Sequence, residues 1–149
     1  MASSKGKPVD GVRMIGIGIL GTGFMGRVHS MAVHRMPQAF WPPPLKPLLV
    51  AIAGRSAEKA ADAAARFGFP KWSERWEDLI ADERVELFDN TGPNHLHAEP
   101  CIAAAKAGKH VLCEKPLARN AAEALRMLEA VRSAGVIHTC GFNYRFLPA

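Results

Sequence analysis

Short, continuously apolar runs alternate along the chain with longer segments in which apolar residues recur at helical spacing. Residues 14–20 (MIGIGIL) are the first such run, and their length and β-branched isoleucines predict a strand buried on both faces. Over 24–36, Met25, Val28, Met31, Ala32 and Met36 fall near one helical face, predicting a helix that Pro37 ends. Pro42, Pro43, Pro44 and Pro47 exclude regular structure until Leu48, and residues 48–53 (LLVAIA) predict a second buried strand. Ser56 is placed to cap an alanine-rich helix over 57–67, with Gly68 just beyond its end. The pattern continues with a helix at 74–81 capped by Ser73, a strand at 85–90 and a helix at 97–107 stopped by Gly108. It closes with a strand at 110–113, a helix at 121–134 and a strand at 136–141. Strands that alternate with helices of roughly 10 to 15 residues predict right-handed βαβ units, hence an α/β, doubly wound parallel sheet with helices on both faces.

Composition fixes the scale. The chain has 149 residues, 48% of them apolar, within the ~100 to 200 residues typical of one domain with one core. A 22% charged fraction, with 13 glycines and 11 prolines, excludes disordered, collagen-like and coiled-coil polymers. The net charge is +5, while residues 73–99 are acidic. No basic cluster with interleaved aromatics occurs, so no nucleic-acid partner is expected. No apolar run reaches the ~18 residues of a membrane span, so no membrane partner is expected either.

Cys101, Cys113 and Cys140 are odd in number and lack CxxC spacing, which argues against a disulfide framework or a zinc clip and for a reducing cytoplasm. Residues 1–13 superficially resemble a signal peptide, but the apolar run that follows leads straight into a glycine motif without a cleavage site. They are expected to be a disordered tail ahead of a dinucleotide-binding domain at 14–149.

The chemistry begins at Gly21-Thr22-Gly23-Phe24-Met25-Gly26, a GxGxxG placed between a predicted strand and a predicted helix. There the first glycine permits the tight turn and the second lets a pyrophosphate approach the backbone. The third allows helix and strand to pack closely, and the helix N-terminus offers free N–H groups to the phosphates. An acid at the end of the second strand would hold a ribose 2′-hydroxyl and repel a 2′-phosphate. Here that strand ends Ala53-Gly54-Arg55-Ser56. A cation and a hydroxyl stand where a phosphate takes charge-assisted hydrogen bonds, which favours NADP over NAD. A methyltransferase on a similar sheet would want acids before the first glycine and at the end of the second strand. Those positions are Leu20 and Gly54.

Two further segments, 93–100 (PNHLHAEP) and 107–117 (AGKHVLCEKPL), together with GTGFMG and the closing GFNYRF, resemble the N-terminal half of the Gfo/Idh/MocA oxidoreductases. The family includes glucose-fructose oxidoreductase and inositol 2-dehydrogenase. The resemblance implies a nicotinamide-dependent dehydrogenase acting on a sugar, cyclitol or related polyol, with Lys115 of the EKP motif beside nicotinamide and substrate. It implies that Glu114 orients that lysine and that Thr91, Pro93, Asn94 and His97 line the nicotinamide side of the pocket. Gly92 departs from the threonine common before the proline. His95, His97 and Glu99 lack the further ligands of a metal site, and no metal is expected.

The family also carries a second, substrate-binding domain that supplies the remaining acid–base residues and commonly mediates homo-oligomer formation. The chain ends about where that domain would begin, so it is expected to be a piece of a longer dehydrogenase, inactive alone. The competing expectation is a stand-alone module that senses NADP(H) without catalysis. A dihydrodiol or tetrapyrrole substrate is a further alternative within the family.

Overall fold

A computed structural model describes residues 11–148. Most of the expected tail, residues 1–10, lies outside the described residues. The folded body starts just before the first strand, because the Arg13 carbonyl accepts from the Lys46 amide at 2.9 Å and its guanidinium donates to Glu86 at 2.8 Å.

Among the described residues six strands form one sheet: β1 (Met14–Leu20), β2 (Lys46–Ala53), β3 (Lys71–Ser73), β4 (Leu87–Asn90), β5 (His110–Cys113) and β6 (His138–Cys140). Every pairing is parallel and the order is β3-β2-β1-β4-β5-β6. That is the doubly wound order, with a topological switch between β1 and β4. Five helices connect the strands: α1 (Phe24–Ala39), α2 (Ala57–Phe67), α3 (Trp76–Ala81), α4 (Ala98–Lys106) and α5 (Ala121–Ala134). None of the described helices is long and apolar enough to cross a membrane.

Each sheet face has its own core. Ile17 and Ile19 of β1 point to one side and pack with Leu49, Ile52, Val33, Ala63, Ala64 and Phe67, beneath α1 and α2. Leu20, Val50, Ala53, Val85 and Phe88 face the other side with Leu79, Cys101, Ala104, Met127 and Val131, beneath α3, α4 and α5. The glycines of MIGIGIL have a packing reason. A Cβ on Gly16 would lie 1.8 Å from the Arg84 carbonyl oxygen, so the loop before β4 rests directly on the strand.

The helix ends follow their cap chemistry. Ser56 accepts from the Lys59 amide at 3.4 Å, and Gly68 closes α2 in the left-handed region at φ +76°. Asn120 accepts from the Glu123 amide at 2.9 Å to start α5; such caps are each worth ~1 kcal/mol.

Four expectations need correction. Pro37 does not end α1, which runs on to Ala39. So close to the terminus its missing N–H costs only one ladder bond, and the Phe40 amide still reaches the Met36 carbonyl at 3.0 Å. Nor does Pro47 delay β2. The Lys46 amide points toward the β1 side, so by alternation the Pro47 nitrogen faces away, where β3 does not yet pair. Ser73 belongs to the short edge strand β3, which the sequence pattern misses, and α3 starts two residues later than expected. Its hydroxyl still steadies that helix, accepting from the Arg75 amide at 2.9 Å and donating to Asp78 at 2.5 Å. Finally β4, α4 and β6 are each shorter than predicted, and 3-10 turns form at Asn94–Leu96 and Asn143–Phe146, where the sequence pattern assigns no element.

Candidate functional site

The carboxyl ends of β1, β2, β4, β5 and β6 all open on one edge of the sheet, the edge at which open α/β sheets bind ligands. At the end of β1 the glycine loop is built by contact. The Gly21 amide donates to the Ala53 carbonyl at 2.8 Å, and its φ of +115° is one that L side chains rarely adopt. A Cβ on Gly26 would stand 1.9 Å from the Gly21 carbonyl oxygen, so α1 packs against its own entrance loop. Gly23 differs: a Cβ there would meet nothing within 4 Å. No side chain caps α1 and no acid lies in its first turn, leaving the N–H groups and the positive dipole end to an incoming anion. The loop therefore fits a pyrophosphate, with Gly23 on the open face where backbone and ligand approach. Thr22, half-buried, packs beneath Gly54, while Phe24 is exposed.

Toward β2, a cleft of about 400 Å³ is lined by Thr22, Gly23, Arg27, Arg55, Ser56 and Lys59, with Asp62 and Arg66 further along α2. A Cβ on Gly54 would lie 2.8 Å from Thr22 Cγ2, so any side chain at that position would press on Thr22. Arg55 is the first residue after β2 with an exposed side chain, and the Ser56 hydroxyl oxygen accepts from the Lys59 amide in the α2 cap.

Beyond the ends of β5 and β6, a second cleft of about 630 Å³ is lined by Met25, Glu114, Lys115, Phe142, Tyr144 and Arg145. Lys115 is exposed at its mouth, and the peptide to Pro116 is cis. Glu114 is buried, at 7% exposure, and one carboxylate oxygen accepts the Lys115 amide at 3.0 Å. It is thus held by the lysine's backbone, in place of an exposed Glu-Lys pair.

The loop after β4 is locked from inside. The Asn90 amide donates to the Leu96 carbonyl at 2.8 Å, and its oxygen accepts from Gly92 at 3.0 Å. The Thr91 hydroxyl donates to the Leu20 carbonyl at 2.8 Å, tying this loop to the glycine turn across the β1–β4 boundary. Pro93 and Asn94 are exposed at the rim. His97, by contrast, is buried at 1% exposure. Its ring nitrogens stand 2.7 Å from the Pro116 carbonyl oxygen and 2.9 Å from that of Gly92. It is placed to brace the two loops against each other and has no face on the cleft. Gly92 supplies one of its acceptors, so the residue that departs from the family pattern is built into this brace.

The sequence pattern missed a buried polar group under the second cleft. His29 of α1 has Nδ1 2.8 Å from Asp89 Oδ2 and Nε2 3.3 Å from Glu114 Oε1. Burial pulls the His29 imidazole down, but the hydrogen bonds and charges of Asp89 and Glu114 outweigh it and leave it raised above 6.5. Burial pushes the Asp89 carboxyl up and the Glu114 charge adds to this, with His29 opposing. Two signals mark this group in the sequence: a histidine three residues past the fingerprint, and a polar Asp-Asn ending an otherwise apolar strand. Among the described residues, no three histidine, cysteine or acidic side chains are grouped so as to hold a metal ion.

Comparison with known proteins agrees with this geometry. Residues 15–142 match the Gfo/Idh/MocA family, described as an oxidoreductase family with an NAD-binding Rossmann fold. Levoglucosan dehydrogenase of Pseudarthrobacter phenanthrenivorans is 47% identical over 135 residues, which are 91% of this chain and 35% of that protein. Its solved complex with NADH superposes with a TM-score of 0.87 over 89% of this chain and 36% of the other. D-xylose 1-dehydrogenase (NADP(+)) 2 of Haloferax volcanii is 40% identical over 98 residues, covering 66% of this chain and 30% of that protein. The chain spans about a third of the length of the curated relatives it matches. With its glycine loop, its switch point and its EKP turn at one sheet edge, the chain belongs to the Gfo/Idh/MocA oxidoreductases and comprises their NAD-binding Rossmann domain.

Proposed function

We propose that this chain is the cofactor half of a dehydrogenase that moves hydride between NADP, favoured over NAD, and a sugar, cyclitol or related polyol. The observation that carries this is the placement of the glycine loop and Lys115 at the same sheet edge, on opposite sides of the β1–β4 switch. Across that boundary the α1 N-terminus would hold the pyrophosphate of a bound dinucleotide, Arg55 its adenosine end and Lys115 its nicotinamide end.

The bound nicotinamide supplies the hydride acceptor or donor. Lys115 polarises the substrate hydroxyl and stabilises the alkoxide as its proton leaves. Glu114 holds the lysine's backbone, Thr91 and His97 hold the loops, and Pro93 and Asn94 form the nicotinamide rim. The final proton acceptor belongs to a substrate domain beyond this chain, through which the longer protein forms a homo-oligomer. Similarity to levoglucosan dehydrogenase favours a carbohydrate substrate, and three free cysteines suit a reducing cytoplasm.

The preference for NADP rests on Arg55, with Arg27 and Lys59 lining the same cleft. A guanidinium paired with a phosphate is worth roughly 1.5–3 kcal/mol. Arg55→Ala is therefore expected to weaken NADPH binding about tenfold or more while NADH binding stays within about twofold. Fluorescence titration of both reduced cofactors checks this. Tighter binding of NADH than NADPH by the unaltered chain would defeat the preference, even though NADH occupies the levoglucosan dehydrogenase complex.

A further inference from the structure

Beyond the hold of Glu114 on the Lys115 backbone, the buried group under Lys115 has no part in the chemistry proposed above, yet it is costly. Two carboxylates and an imidazole are withdrawn from water, with side-chain exposures of 3% for Asp89, 9% for Glu114 and 15% for His29. Buried ionisable groups persist only where partners compensate them. Here the compensation connects three elements: His29 on α1, Asp89 on β4 and Glu114 at the end of β5.

We propose that His29 is a positioning residue for Lys115: by bridging Asp89 and Glu114 it fixes the carboxylate that holds the Lys115 backbone, and so sets where the lysine meets the nicotinamide end of a bound dinucleotide. This rests on the reading of Lys115 given above. The geometry leaves Glu114 little alternative. One of its oxygens accepts the Lys115 amide, while the other faces His29 on one side and Gly141 on the other, where a Cβ would lie only 2.7 Å away. Without the imidazole, that second oxygen loses its donor and the two acids face each other unscreened. The turn carrying Lys115 is then free to shift, while the glycine loop, held by Ala53 and Thr91, is not.

The protonated ring donates to both acids, and a neutral ring to only one. Asp89 and Glu114 are the groups acting on His29; the nearby thiols of Cys113 and Cys140 are both pushed up and stay neutral. The His29 value is raised, so its bridge is fully present below 6.5 and is lost as pH rises through the folded-state value.

The test compares NADPH with 2′-phospho-ADP-ribose, which lacks the nicotinamide, on the full chain. The ratio of the two affinities isolates the nicotinamide end. In the unaltered chain this ratio is expected to fall as pH rises from about 6 through the folded-state His29 value. In His29→Gln it is expected to be about tenfold lower at about pH 6 and flat with pH, with 2′-phospho-ADP-ribose affinity within about twofold. Equal weakening of both ligands in the variant, or a ratio insensitive to pH and variant, overturns the proposal. Should His29→Gln fail to fold, His29→Asn is measured in the same way and with the same two outcomes. If the unaltered chain binds both ligands equally, nicotinamide is not recognised beside Lys115, and the site reading fails together with the proposal.

Discussion

Gly26→Ala is expected to abolish dinucleotide binding and to destabilise the fold by the upper end of the ~1–3 kcal/mol typical of overpacking, or more. The new methyl would stand 1.9 Å from the Gly21 carbonyl oxygen and 2.8 Å from its carbon. Both are backbone atoms, so no flexible side chain can swing aside. Relief requires α1 to draw away from the turn, which removes the N–H groups meant for the pyrophosphate and disturbs Val33, packed against the sheet from the same helix. Gly23→Ala is the contrast within one motif. Its methyl would meet no protein atom within 4 Å, so the melting temperature should hold while cofactor affinity falls on the order of tenfold, because the added carbon occupies ligand space. Thermal melts and fluorescence titrations of the two variants separate a packing glycine from a ligand-facing one. Equal stability losses in both would contradict the loop geometry.

Phe88→Ala carries the other large effect. Phe88 is fully buried at the centre of the sheet, on the face covered by α3, α4 and α5. Truncating a buried phenylalanine costs ~3–5 kcal/mol in lost transfer energy and residual cavity. Set against the ~5–15 kcal/mol of total stability common to domains, this is about a fifth of the total or more. Phe88 directly precedes Asp89 and Asn90, which support the His29 bridge and the loop after β4. Cofactor affinity is therefore expected to drop with stability. Urea unfolding should show a lower midpoint with an unchanged slope, and a loss below ~1 kcal/mol would mean that this face is not the core.

How far the sequence foretold this molecule depends on the range of the interactions involved. β1, α2, β5 and α5 lie where the sequence pattern puts them, because each is set by local information: an apolar run, a capping serine or asparagine, a glycine just past the helix end. The glycine fingerprint is legible for the same reason, since its role is written in backbone conformation. β3 is not legible, since Lys71-Trp72-Ser73 is too short for any period and exists as a strand only because β2 offers it an edge. The persistence of α1 past Pro37 and of β2 through Pro47 likewise depends on which backbone groups lack partners in the assembled sheet. Lys115 and Glu114 are visible as a motif, but the burial of Glu114 and the withdrawal of His97 from the cleft are not. Both follow from contacts more than 15 residues apart in the chain, His97 with Pro116 and Glu114 with His29. The His29–Asp89–Glu114 group unites residues up to 85 positions apart, and no local pattern joins them.

A crystal structure of the chain with NADPH tests the central claim most directly. The account predicts the pyrophosphate on the amides that open α1, the 2′-phosphate against Arg55, and the nicotinamide in the cleft beside Lys115, with Glu114 still holding the Lys115 amide. A dinucleotide lying elsewhere than across the β1–β4 boundary, or a nicotinamide out of reach of Lys115, would contradict it.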